Sequence, residues 1–251
     1  MKKLILAAAV CACAAFASSV HAQQAEPAPE HSFTGNLTVA SDYRFRGISQ
    51  TFNKPAVQGG FDYAHSSGFY VGNWNSNVSG NQFPDGASIE MDLYGGYKFT
   101  PLQDMTADVG VLRYYYPGAS IGGRNANATE VYVGAAYKWF SAKYSHGVSD
   151  NYFGIADAKG SYYLDLNANF EVADKTVLGF HAGRQKFRHA GDLDYTDFKV
   201  GISRDFGFAT LGLAVVGSNA DEALYTYSNA SGTESKDVSK TTAVLSISKT
   251  F

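Results

Sequence analysis

Residues 33–46 read FTGNLTVASDYRFR, and their alternation decides the fold. Phe33, Gly35, Leu37, Val39, Ser41, Tyr43 and Phe45 make one mostly apolar face, while Thr34, Asn36, Thr38, Ala40, Asp42, Arg44 and Arg46 make a polar one. A period of two sends successive side chains to opposite faces, which is the signature of a β-strand. The same split returns at 87–99, where Ile89, Met91, Leu93, Tyr97 and Phe99 oppose Glu90, Asp92, Tyr94 and Lys98. It returns again at 162–171 and closes the chain, with Ala243, Leu245, Ile247 and Phe251 against Val244, Ser246, Ser248 and Thr250.

Reading outward in this way gives twelve strands, at 33–46, 56–64, 68–77, 87–99, 105–116, 128–138, 140–149, 160–172, 176–187, 194–206, 209–218 and 241–251. Most are near ten residues or longer, whereas soluble strands centre on about 5–6 and a tilted strand crossing a bilayer needs about 9–11. The connections alternate. Those at 64–68, 100–104, 139, 173–175 and 207–208 are tight, and those at 47–55, 78–86, 117–127, 150–159, 188–193 and 219–240 are generally longer and rich in turn residues. Short turns on one side and long loops on the other characterise an outer-membrane barrel with an even strand number. A polar face on nearly every strand also argues against a soluble sandwich, which would bury unpaired charge, while a closed barrel can turn that face to water. The fold class is therefore all-β: a transmembrane antiparallel up-and-down β-barrel of about 12 strands, spanning 33–251. On the apolar parity, Tyr43, Phe45 and Tyr115 are expected near the outer rim. Phe61, Tyr63, Tyr97, Phe99, Tyr137, Phe140, Phe170, Phe206 and Phe251 are expected near the inner one, as rings with one wet and one apolar end belong at membrane interfaces.

Composition agrees. Only 17% of the 251 residues are charged, and 26 Gly, 17 Tyr and 17 Phe favour strands over helices. A net charge of -3 without a basic block removes the footprint of a nucleic-acid partner. At the N-terminus, Lys2 and Lys3 precede the apolar run 4–16, and Val20-His21-Ala22 fits a secretory cleavage site, so 1–22 reads as a signal peptide and 23–32, with Pro27 and Pro29, as a flexible periplasmic leader. Cleavage removes the only cysteines, Cys11 and Cys13, and leaves 18 basic against 23 acidic residues, a balance of -5. Disulfides, thiolate metal sites and a cysteine nucleophile are excluded together.

The segment 41–77, SDYRFRGISQTFNKPAVQGGFDYAHSSGFYVGNWNSN, resembles the TorF family of porin-like outer-membrane proteins through its SDYRFRGISQT motif, the proline that follows and the GFYVGNW strand. The resemblance implies an outer-membrane barrel with a channel role, leaves its solute open, and assigns Phe251, by position, to the terminal signal read by the barrel assembly machinery.

No catalytic or cofactor motif stands out, and no metal-ligand spacing is present. Ser145 and His146 are neighbours on one strand, so they point to opposite faces and cannot act as a hydrolase pair. His181 reads as a solvated lumen residue. The polar parity supplies inward acids Asp42, Asp62, Glu90, Asp92, Asp108, Glu130, Asp165, Glu171 and Asp197, and inward bases Arg44, Arg46, Lys98, Lys138, Lys143 and Lys199. These are the expected pore-lining residues. Acids outnumber bases, so weak cation preference is expected. Tyr114, Tyr116, Tyr132 and Tyr163 share that parity, either as a slide for sugar-like rings or as rim aromatics packing loops. Two architectures stay open for the lumen, a narrow pore or a charge-paired interior that passes nothing, and the loop 219–240 either folds inward or lies on the surface. The function expected is passive diffusion of small hydrophilic solutes across the bacterial outer membrane, amid outer-membrane lipids and lipopolysaccharide. The rivals are a structural or adhesive barrel with a closed lumen and, less favoured, an outer-membrane lipid hydrolase.

Overall fold

The computed structural model describes residues 29–83 and 87–251, so the expected signal peptide and the leader up to residue 28 lie outside the described residues. Twelve strands form one closed barrel: β1 His31–Ala40, β2 Ala56–His65, β3 Phe69–Asn77, β4 Ile89–Phe99, β5 Met105–Tyr115, β6 Ala128–Tyr137, β7 Phe140–Gly147, β8 Tyr162–Ala173, β9 Thr176–Lys186, β10 Tyr195–Asp205, β11 Thr210–Ser218 and β12 Thr242–Thr250. Each strand pairs antiparallel with its neighbours in sequence, and β12 returns to β1 in the register Asn36↔Thr250 to Ala40↔Ser246. The carbonyl of Gly35 accepts from the Phe251 amide at 2.9 Å, and the Gly35 amide donates to the Phe251 carbonyl at 3.1 Å, so the last residue fastens the seam. Closure satisfies both edges of every strand, the condition an exposed sheet edge cannot meet in lipid.

The period-two reading places eleven of these strands within about two residues of their observed ends. The first is different. β1 begins at His31 and stops at Ala40, six residues before the expected end at 46. Ser41 terminates it, its hydroxyl accepting from the Leu245 amide at 3.0 Å and its amide donating to the Leu245 carbonyl at 2.9 Å. From there the chain leaves the wall and turns into the barrel.

The barrel is apolar outside and polar inside. Phe33, Leu37, Val57, Val71, Leu93, Val133, Leu166, Ile202, Leu213 and Leu245 all point outward, Phe33 and Leu245 being 76% and 61% exposed. Such a continuous exposed apolar surface marks contact with an apolar medium. At the short-turn rim aromatic rings cluster on this face: Phe33 with Tyr63 at 4.9 Å between centroids, Phe69 with Tyr97 at 4.9 Å, and Trp139 with Phe170 at 6.2 Å.

Inside, large rings lie flat over glycines of the neighbouring strands. Tyr70 and Tyr132 hydrogen-bond through their hydroxyls, and Tyr70 also donates to Asp108 at 2.7 Å. A Cβ on Gly110 would stand 2.4 Å from the Tyr132 oxygen, and one on Gly96 would stand 2.5 Å from the Tyr70 oxygen. Gly110→Ala should therefore force this pair apart and destabilise the barrel by about 1–3 kcal/mol. A lowered temperature for the gel-mobility shift of the folded chain would register the loss, and an unchanged one would contradict this account of the packing.

Candidate functional site: a hairpin seated in the lumen

The SDYRFRGISQT stretch forms a hairpin within the barrel, Arg44–Phe45 pairing with Ile48–Ser49 across a two-residue turn. Arg46 and Gly47 occupy that turn with φ of 48° and 82°, the positive pair that a tight hairpin turn of this hand requires. A Cβ on Gly47 would lie 2.6 Å from Cβ of Asp197 on β10, so position 47 demands glycine for both conformation and space. Asp42 knots the hairpin to itself. Its carboxylate accepts from Arg44 Nε at 2.5 Å, from Ser49 Oγ at 2.6 Å and from Thr51 Oγ1 at 3.0 Å.

Three sets of contacts seat it. Arg46 Nη2 reaches both oxygens of Glu130 on β6 at 2.8 and 2.9 Å, while its Nη1 donates to Gln185 Oε1 at 2.7 Å and to Tyr152 Oη at 3.0 Å. Tyr152, from the loop after β7, in turn donates to Glu130 at 2.5 Å. Arg44 reaches across to the last long loop, donating to the carbonyls of Val238 at 2.9 Å and Lys240 at 3.0 Å. Tyr43 donates to Glu90 at 3.0 Å, and the Gln82 side chain accepts from the Phe52 amide at 2.8 Å. Apolar packing completes the seat. Tyr43 meets Trp74 edge-on at 5.3 Å and Phe45 meets Tyr114 at 5.3 Å, while on the other side Ile48 and Phe52 pack with Tyr195, Tyr225 and Val238.

Burial alone disfavours the Arg46 charge, but Glu130 beside it and the hydroxyls of Tyr152, Tyr114 and Tyr163 hold the guanidinium above its ordinary basicity. The Tyr152 phenol is pushed up by burial and by the same carboxylate. The site is thus a fixed cation held by a fixed anion. Among the described residues, Arg46 Nε is a buried donor without a hydrogen-bond partner, and on the wall facing the hairpin the Glu90 and Asp92 carboxyls are buried against each other.

These observations correct the expected strand 33–46. Asp42, Arg44 and Arg46 do not stand on a wall strand at the outer rim; they belong to the inserted hairpin. Tyr43 and Phe45, expected to face lipid, are 2% and 9% exposed inside the barrel. The alternation was real, but both faces of this ribbon are indoors. Glu90, Asp92 and Glu130 lie buried behind the hairpin, and Tyr114, Tyr116, Tyr132 and Tyr163 are buried too. Farther down, Asp62 accepts from Tyr94 at 2.6 Å, Asp108 accepts from Tyr70, and Lys143 lies 5.1 Å from the Tyr132 ring centre. His181 is not freely solvated: Asp165 is 3.2 Å from its Nδ1 and Asp197 is 2.7 Å from its Nε2. Two spaces flank the hairpin. One is walled by large and charged groups that include Trp74, Asp92, Tyr114, Lys143 and Asp165. The other is walled in part by small residues, Ala40, Gly212, Ala214 and Ser246, together with Val216, Val244, Gln58, Lys199 and Arg44. The loop 219–240 forms its own hairpin, Thr226–Ser228 with Ser235–Asp237, and packs over the inserted one through Tyr225 and Val238. Tyr152 and Gln185 are partners the sequence did not announce. The Arg-Gly turn between Phe45 and Ile48 was the readable signal of a hairpin.

Ser145 is 1% exposed, while His146 on the opposite face shares a hydrogen bond with Tyr144 at 3.1 Å, so the two do not meet.

Removing either member of the Arg46–Glu130 pair strands a buried charge, a loss of about 3–5 kcal/mol. Arg46→Ala and Glu130→Ala should each expose 41–55 to protease and hydrogen exchange, and the double variant should lose less than the sum of the two. Additive losses would show that the pair does not anchor the hairpin.

Several solved structures share this fold. A KdgM porin matches with a TM-score of 0.54 at 8% identity over 87% of this chain and 98% of that one, as does a KdgM porin in complex with disordered oligogalacturonate, with a TM-score of 0.53 at 8% identity over the same shares. A NanC porin matches with a TM-score of 0.52 at 9% identity over 84% of this chain and 97% of that one. At these identities the likeness concerns the fold alone. No curated protein sequence matches the chain significantly. Residues 24–251 match the family described as a bacterial protein of unknown function, Gcw_chp, and the chain belongs to that family.

Proposed function

We propose that this protein is an outer-membrane channel for small hydrophilic solutes, closed toward its long loops by the hairpin at 41–55. The observation that carries the reading is the inverted polarity of a closed barrel, an apolar belt outside and a charged, water-compatible interior. In that setting outer-membrane lipids and lipopolysaccharide cover the belt, and Phe251, hydrogen-bonded to Gly35 at the seam, serves as the terminal signal for the assembly machinery. The TorF-like motif and the fold shared with the KdgM and NanC porins support the same reading. Asp62, Asp108, Lys143, Asp165 and Lys199 line the path, and the excess of acids gives it weak preference for cations. The reading includes no catalysis and no cofactor.

The hairpin is the gate of this channel. The unpartnered Arg46 Nε costs about 1–3 kcal/mol relative to its solvated state, so unseating the hairpin recovers part of what the lost contacts cost. A second reading draws on the same feature: a hairpin that never leaves makes a structural or adhesive barrel with a sealed lumen.

Conductance in planar bilayers separates the two. The refolded native chain should show brief, infrequent openings with a small cation-leaning reversal potential under a salt gradient. Arg46→Ala and Gly47→Ala should raise the open fraction at least tenfold. A folded barrel that stays silent in both variants, and also after removal of 42–52, would establish the sealed barrel instead.

A further inference from the structure

We propose that Glu30, His31 and His65 form a binding site for a divalent transition-metal cation, with Zn2+ as the model ion, at the short-turn rim of the barrel. The register of β1 on β2 sets His31 directly opposite His65, thirty-four residues later. Their rings meet edge to face with centroids 5.2 Å apart. Glu30, the residue before β1, is pinned against the β2–β3 turn by a hydrogen bond from the Ser66 amide to its carbonyl at 2.9 Å. Its Oε1 comes within 3.6 Å of His65 Nε2. One ligand atom from each of the three side chains lies within 4.8 Å of the others.

Hydrogen bonds at Nδ1 fix how each ring is turned. His31 Nδ1 is 2.9 Å from Tyr63 Oη, and His65 Nδ1 is 2.7 Å from Ser67 Oγ. When the His31 Nδ1–H donates to Tyr63 Oη, its Nε2 presents a lone pair, the arrangement in which an outer hydrogen bond fixes the tautomer of a ligating histidine. The Ser67 amide donates to His65 Nδ1 at 3.1 Å, so in the metal-free protein that nitrogen accepts, and cation binding at Nε2 moves the ring proton to Nδ1, which then donates to the Ser67 hydroxyl in place of the amide contact. Two imidazoles and a carboxylate suit zinc, nickel or copper rather than the all-oxygen preference of calcium or magnesium. A tetrahedral zinc with bonds of about 2.0–2.2 Å holds its ligands roughly 3.4 Å apart. The side chains need close by about an ångström, which exposed rim residues can do without disturbing the wall. The fourth position faces solvent. The cation would fasten the start of β1, where the leader enters the barrel, to the first short turn.

Zn2+ titration of the folded full chain, prepared without a polyhistidine tag and followed by calorimetry, tests the site. One equivalent should bind, His31→Ala and His65→Ala should each weaken it at least tenfold, Glu30→Gln should weaken it several-fold, and His146→Ala should leave it unchanged. Heat-dependent gel mobility verifies that the variants fold, and His65→Gln serves if the alanine does not. In the native chain bound Co2+ should show the intense visible absorption of a tetrahedral site. Absence of saturable binding, or equal binding after both histidine substitutions, would overturn the proposal.

Discussion

A guanidinium buried inside a β-barrel must be paired, and the pairing of Arg46 with Glu130 organises the long-loop half of this molecule. Desolvating the two charges is expensive, and their attraction offsets it only when the remaining donors and lone pairs also find partners. Tyr152, Gln185 and Tyr114 supply them for the two terminal nitrogens of Arg46, Nε alone going without, and this draws β5, β6, β9 and the loop after β7 toward one point. Arg46 holds a left-handed backbone at that point, a conformation disfavoured for a residue with a side chain and kept because so many contacts fix it. Gly47 then brings the tip against β10, so the hairpin spans the lumen from wall to wall.

The wall itself was legible because lipid and lumen impose opposite polarity on alternate residues. Strands such as Phe69–Asn77 and Thr210–Ser218 therefore announce their ends wherever the alternation fails. The inserted hairpin hid for the same reason. Tyr43 and Phe45 continue the parity of Leu37 and Val39, and nothing in a period of two separates an apolar face turned to lipid from one turned to a tyrosine-lined interior. What distinguishes them is turn chemistry: Arg46-Gly47 requires two positive φ values, and Asp42 needs Ser49 and Thr51 folded back upon it. The motif that carried the family resemblance is thus the part of the chain where the strand reading failed. Local consistency breaks where a segment answers to packing inside the lumen rather than to the wall.

The candidate residues divide along similar lines. Glu90, Asp92 and Glu130 were placed inside by parity alone, since a one-residue slip would have turned their charges to the belt. Their partners were not readable, because Arg46 meets Glu130 across eighty-four positions and only the closed barrel brings them together. The Glu30, His31 and His65 group escaped for a related reason. Metal-ligand motifs are recognised by short spacing, whereas this group depends on the register of one hairpin and on a residue outside the strand.

Barrel width explains why the lumen is filled by a ribbon of main chain rather than by side chains. Eight strands enclose a space that side chains fill, and sixteen or more leave a wide channel. Twelve fall between. Large tyrosines such as Tyr114, Tyr132 and Tyr163 stand on one side, whereas the wall opposite presents small residues, Gly212, Ala214 and Ser246. A two-stranded ribbon, with its strands about 4.8 Å apart, fits the remaining gap and brings its own hydrogen-bonded backbone. It also keeps the filling separable from the wall: the barrel's ladders close without the hairpin, from Ala40↔Ser246 directly on to Ala40↔Ala56. A core built of wall side chains cannot leave without unfolding the barrel, whereas a ribbon joined to β1 and β2 by its two ends can move while every wall hydrogen bond persists.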